Sequence, residues 1–176
     1  RSGGTRSSCG GPAAAESILS TVTLHQQLRL SLTNKYGSTV AAWRTQLDPK
    51  ARGSVKFGKF CVVLADCCFH GNTKTLWRDL SGDGDSFAFE DLDPEAADLL
   101  DSFRKQLVSK YGGLLQAWQA GLDVDCRGGV DEGSFIQRCS TNFSLTKKTA
   151  KRLYRMLMAH HGQCALTCGD LKALLI

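Results

Sequence analysis

Proline and methionine are scarce, three and two residues in 176, and only 8% of the chain is aromatic. So few prolines leave room for long uninterrupted helices. No run of eighteen apolar residues occurs, which excludes a helix that crosses a membrane by hydrophobicity alone. A strong charge of either sign is missing as well: 22 Lys and Arg stand against 17 Asp and Glu, a net +5. That balance argues against a densely acidic cation buffer and against a strongly basic nucleic-acid binder. There is no Gly-rich phosphate loop, no nucleophile elbow and no carboxylate pair with a nearby His, so the expectation is a protein that is not an enzyme. The opening residues 1–12 are polar and Gly-rich and carry no apolar core of a signal peptide. They read as a flexible tail or as the cut edge of a longer precursor.

What is present is a repeat. Leu24 to Phe60 recurs 75 residues later as Leu99 to Phe135, without a gap. Leu32, Lys35, Tyr36, Gly37, Trp43, Leu47, Asp48, Gly53, Val55 and Phe60 return as Leu107, Lys110, Tyr111, Gly112, Trp118, Leu122, Asp123, Gly128, Val130 and Phe135. Chance gives about three identities over such a stretch, so the chain contains a duplication. With 42% hydrophobic residues it can bury one good core or two small ones in tandem.

Inside each copy an apolar helical stripe ends in Trp-x-x-x-Leu-Asp. Gly follows the Asp by five residues, Val comes two later, and Phe five later again. A helix, a loop opened by an acid and turned by a sixth-position Gly, and a second helix are what this order spells. Leu24, Leu28 and Leu32 form the first stripe, and Gly37 should end or bend that helix. Phe57, Phe60, Val63 and Leu64 begin an exit helix, Lys74 to Leu80 makes another, and Asp93-Pro94 starts a long one running to about Tyr111. Leu114 to Leu122, an exit helix from Phe135, an amphipathic helix from Thr146 to Met158 and a short apolar helix from Leu171 to Ile176 complete the plan.

The chain resembles the EF-hand superfamily from about Leu24 onward, and specifically four-EF-hand proteins of the calmodulin-like type. It is similar to dinoflagellate members with Lys-Tyr-Gly, Gly-Asn-x-x-x-Leu-Trp and Asp-Leu-Asp-Pro-Glu-Ala-Ala signatures, matched here by Lys35 to Gly37, Gly71 to Trp77 and Asp91 to Ala97. The fold implied is all-α: two tandem EF-hand pairs joined by a long helix, the first over residues 13–98 and the second over 99–176. The resemblance also implies that the eighth loop residues, Val55, Phe87, Val130 and Leu166, form short strand contacts between partner loops.

Calcium needs six to eight oxygens and usually a bidentate carboxylate at the twelfth position. The first loop, Asp48 to Lys59, puts Lys50, Arg52 and Lys59 at positions 3, 5 and 12 and should not bind. The third keeps Asp123 and Asp125 but has Arg127 and Ser134 at positions 5 and 12, a weak site at best. The fourth, roughly Ala159 to Asp170, lacks charge. The second loop is acid-rich, and two registers compete for it. Counting from Asp79 collects Ser81, Asp83, Asp85 and Glu90 as ligands but puts Ser86 at the apolar eighth position. Counting from the helix phases makes Ser81 first and Asp91 twelfth, with the loop one residue short. At most one or two weak calcium sites are expected.

Trp43, Trp77 and Trp118 read as packing between entering and exiting helices. His160, His161, Cys164 and Cys168 lie close in sequence but without zinc-finger spacing, and most of the eight cysteines sit in helical patterns as small hydrophobes, which favours a reducing, intracellular setting. Lys147, Lys148, Lys151, Arg152 and Arg155 line the wet face of one helix and could meet an anionic surface. The function implied is a non-catalytic adaptor for a protein partner, or a structural subunit of a larger assembly. The alternative is a calcium sensor that opens a lobe when its second loop fills.

Overall fold

The computed structural model describes residues 13–160 and 162–176, with side chains from Leu24 onward; the tail 1–12, Cys9 and His161 lie outside the described residues. The chain is mostly helical. The elements are α1 (Ala13–Tyr36), α2 (Thr39–Ala42), β1 (Val55–Lys56), α3 (Phe57–Asp66), α4 (Thr73–Ser81), β2 (Ser86–Phe87) and α5 (Phe89–Leu92), followed by α6 (Pro94–Tyr111), α7 (Leu114–Ala117), α8 (Glu132–Phe143) and α9 (Lys147–Leu157). A 3₁₀ segment, Cys168–Leu175, closes the chain where the sequence suggested an apolar helix from Leu171.

Both copies of the repeat share one detail that periodicity does not announce. Behind α2 and α7 the helix widens into a single π turn, Trp43–Leu47 and Trp118–Leu122. Asp48 N–H donates to Trp43 O, and Asp123 N–H donates to Trp118 O, each at 2.7 Å. The wider turn delivers Trp43 and Leu47, or Trp118 and Leu122, into the core and places the Asp that follows at the mouth of the loop.

Helix boundaries follow capping chemistry. Ser38, Asn72, Asp93, Asp131 and Thr146 accept N–H bonds at the starts of α2, α4, α6, α8 and α9. Gly112 ends α6 at φ 82°, the left-handed region that a side chain resists.

Two strands form the only sheet among the described residues. Val55 pairs with Phe87 and Lys56 with Ser86, antiparallel. In the second copy a single bridge joins Val130 and Leu166 through two 2.8 Å backbone bonds. All four apolar residues are buried. The core is one continuous cluster that draws on both halves, and the 98/99 division suggested by sequence falls inside α6. Aromatic rings fill it: Trp43 lies 5.9 Å from Phe87 and 5.5 Å from Phe89 between centroids, and Phe135 lies 6.0 Å from Phe103. Between the halves, Arg44 donates through Nη1 to the Leu157 carbonyl at 3.1 Å, neutralising the negative end of α9.

Candidate functional site

The four loops hold the chain's most deliberate arrangement of polar groups. Asp48, the first residue of the first loop, is buried, and its Oδ2 accepts the Gly53 N–H at 2.7 Å. Asp123 does the same job in the third loop. Its two oxygens accept the N–H groups of Arg127 at 3.0 Å and Gly128 at 2.8 Å. In both loops the glycine has positive φ, 78° at Gly53 and 75° at Gly128, so the turn is one that only glycine adopts without strain. The acid therefore folds the loop around itself.

The fourth loop uses a different device for the same end. Asp170 is buried, and its Oδ2 accepts from Gln163 Nε2 at 2.7 Å, Thr167 N at 2.8 Å and Thr167 Oγ1 at 2.8 Å. A neutral amide and a hydroxyl stand where a cation would compensate a buried carboxylate.

Strand pairing sets the second loop against the first. Phe87, not Ser86, faces Val55, and Ser86 faces Lys56. Asp79 and Ser81 lie within α4, Asp79 exposed and Ser81 with its Oγ buried and unpartnered. Gly82 closes that helix in the left-handed region at φ 56°, and Gly84 N–H donates to Ser81 O at 2.9 Å. Asp83 is paired outward with Arg78 Nε at 3.6 Å, and Asp85 and Glu90 face solvent. Asp91 turns back to accept the Ala88 N–H at 2.7 Å and opens α5. Phe87 follows the buried Leu80 by seven positions, whereas Val55 follows Leu47 and Val130 follows Leu122 by eight.

Asp125 is bound to Arg138 Nη2 at 2.9 Å. Among the described residues no three His, Cys, Asp or Glu side chains gather into a group that could hold a metal ion. Asp83 is engaged by Arg78, Asp125 by Arg138 and Asp123 by two backbone N–H groups, so these acids have partners within the chain. His160, Cys164 and Cys168 are exposed, and the seven described cysteines are free thiols.

Sequence reasoning missed a latch of which the repeat encodes the lysine half. Lys35 Nζ donates to the Asp66 carbonyl at 2.5 Å and pairs with Asp66 Oδ1 at 2.7 Å, while the Tyr36 hydroxyl donates to Asp66 Oδ2. Lys35 and Tyr36 together hold the Asp66 carboxyl below its usual range. In the second copy Lys110 Nζ donates to Asn142 O at 2.9 Å and to its Oδ1 at 3.2 Å. Each lysine thus ties the end of an entry helix to the carbonyl end of an exit helix, where positive charge is favoured. The repeated Lys-Tyr-Gly was the visible signal. Lys147, Lys148, Lys151, Arg152 and Arg155 are exposed on α9, with Arg152 bonded to Glu95 at 3.1 Å and Lys151 3.5 Å from Glu132. No family model matches this chain, and no curated protein is significantly similar to it.

Proposed function

We propose that this chain is a non-catalytic EF-hand protein whose loops have given up ion dependence and which serves as a fixed-shape adaptor or structural subunit. One observation carries the reading: the buried loop acids Asp48, Asp123 and Asp170 are satisfied by the chain's own N–H, amide and hydroxyl groups. A loop closed in this way keeps its strand contact without an ion, so its helices have no ion-driven reason to reopen. The pairing of Val55 with Phe87 and of Val130 with Leu166 supports two loop pairs. The arrangement suits a protein that presents one constant surface to a protein partner.

Calcium titration of the full chain with tryptophan fluorescence tests the proposal. Trp77 lies beside the second loop, 5.5 Å from Phe87 between ring centroids, and reports any change there. The expected result is no saturable change up to millimolar calcium. A saturable change would replace the adaptor with a calcium sensor. Native size exclusion from the source cells then tests the assembly: elution as a free monomer would remove the structural-subunit role.

A further inference from the structure

The two copies of the repeat differ most sharply, in charge, at the first loop. Where the second copy has Asp125, Asp131 and Ser134, the first has Lys50, Lys56 and Lys59, while Arg52 and Arg127 correspond. In the second copy Asp131 caps α8 by accepting from Ser134 N–H at 2.9 Å and Ser134 Oγ at 2.7 Å. At the equivalent place α3 begins at Lys56 with no side-chain cap. Two lysines therefore stand at the positive end of α3, the end of a helix where cations are disfavoured and anions favoured. The arrangement is electrostatically unfavourable by itself.

The same lysines, with Arg52, line an open recess of about 400 Å³ in the first loop, together with the apolar Leu47, Pro49 and Val55. Lys50, Arg52, Lys56 and Lys59 are all exposed, and none enters an ion pair among the described residues. The one acid lining the cavity, Asp48, is buried and already holds Gly53 N–H. Four cations, an uncapped helix start and a recess of this size make the inverse of a cation cage.

We propose that the first loop binds a phosphate-type anion, either free or as a phosphomonoester, between Lys50, Arg52, Lys56 and Lys59 at the start of α3. Charge-assisted bonds from the ammonium and guanidinium groups would hold the oxygens, and the free N–H groups of the first turn would add directed donors. The site stands on the cavity and the charge difference between copies, and does not depend on the family reading above.

Thermal unfolding and calorimetric titration of the full chain test it, with inorganic phosphate in one arm and O-phosphoserine in a second, against chloride of matched ionic strength. The wild-type chain is expected to bind one anion saturably and to melt higher as phosphate rises through the low-millimolar range. A variant carrying the second copy's residues, Lys50→Asp, Lys56→Asp and Lys59→Ser, should lose at least about tenfold in affinity and show no phosphate-dependent rise. In chloride alone that variant should melt higher than wild type, because the repulsion at α3 is relieved. The control is Lys148→Gln with Lys151→Gln on α9, which removes positive charge elsewhere and should leave phosphate binding unchanged. Tighter binding in the phosphoserine arm identifies a phosphomonoester as the ligand, and equal or tighter binding of inorganic phosphate identifies the free anion. Absence of saturable binding in both arms, or an equal loss in the α9 control, overturns the proposal.

Discussion

The Thr39 hydroxyl donates to Asp93 Oδ2 at 2.7 Å across 54 residues of sequence, and both side chains are buried. The other oxygen of Asp93 accepts the Ala96 N–H at 3.3 Å and caps α6. One carboxylate therefore fixes where α6 begins and docks that end on the start of α2. Asp93→Ala should cost about 2–3 kcal/mol, the sum of a lost cap and an orphaned buried hydroxyl, whereas Thr39→Val should cost about 1–2 kcal/mol. Urea unfolding of the two variants and their double mutant checks this, with a non-additive double mutant as the signature of the shared bond.

The first loop offers a direct examination of ancestry. Lys50→Asp, Arg52→Asp and Lys59→Glu together place acids at the third, fifth and twelfth positions behind Asp48, with Gly53 already at the sixth. If the loop retains the helix-loop-helix geometry of a calcium site, the triple variant should bind calcium with Kd of about 10⁻⁴ M or tighter, measured by calorimetry. Failure of a well-folded variant to bind would count against the EF-hand reading and leave the anion site untouched.

Acid should destabilise the protein in two windows. Burial, opposed by the nearby Asp79 carboxylate and reinforced by Arg29, lowers the His25 pKa from its ordinary 6.5. The folded state thus prefers neutral His25, and stability is lost as pH falls through 6.5 toward the lower folded value. Hydrogen bonds from Lys35 and Tyr36 lower Asp66, those from Lys105 and Arg104 lower Asp101, and the Ser134 N–H and hydroxyl lower Asp131. Their contribution is present above the ordinary carboxylate value of 3.8 and disappears below it. Urea midpoints followed from neutral pH downward should show a first decline as pH falls below 6.5, abolished by His25→Gln, and a second below the ordinary carboxylate value that survives that substitution.

Thiol chemistry should separate the cysteines by position. Cys139 is buried in α8, and burial pushes its thiol up to about 12. Cys68, Cys126, Cys164 and Cys168 are exposed. Iodoacetamide on the native protein should label the exposed four and spare Cys139 until the chain is unfolded, as mass spectrometry of the peptides would show.

Much of the framework is local and was legible in the residues. The stripe of Leu24, Leu28 and Leu32, the Asp93-Pro94 start of α6 and the Gly112 stop are properties of short stretches, and the helices run close to where these signals put them. The 75-residue repeat likewise marked the positions of two loops with their Val55 and Val130, and the resemblance implied that these meet Phe87 and Leu166. The site was less legible. Which second-loop residue meets the first loop depends on pairing with a strand far earlier in the chain, and a shift of one residue reverses every side chain.

Sequence by itself determined the helical periodicity, the duplication and the unequal charge of the four loops, because these reside in the order of residues along one stretch of chain. Tertiary structure alone decided that Asp93 answers Thr39 and that Arg44 of the first copy closes the end of α9. Those contacts join residues whose separation carries no local signal, and they form only when burial of a common core has brought the halves together.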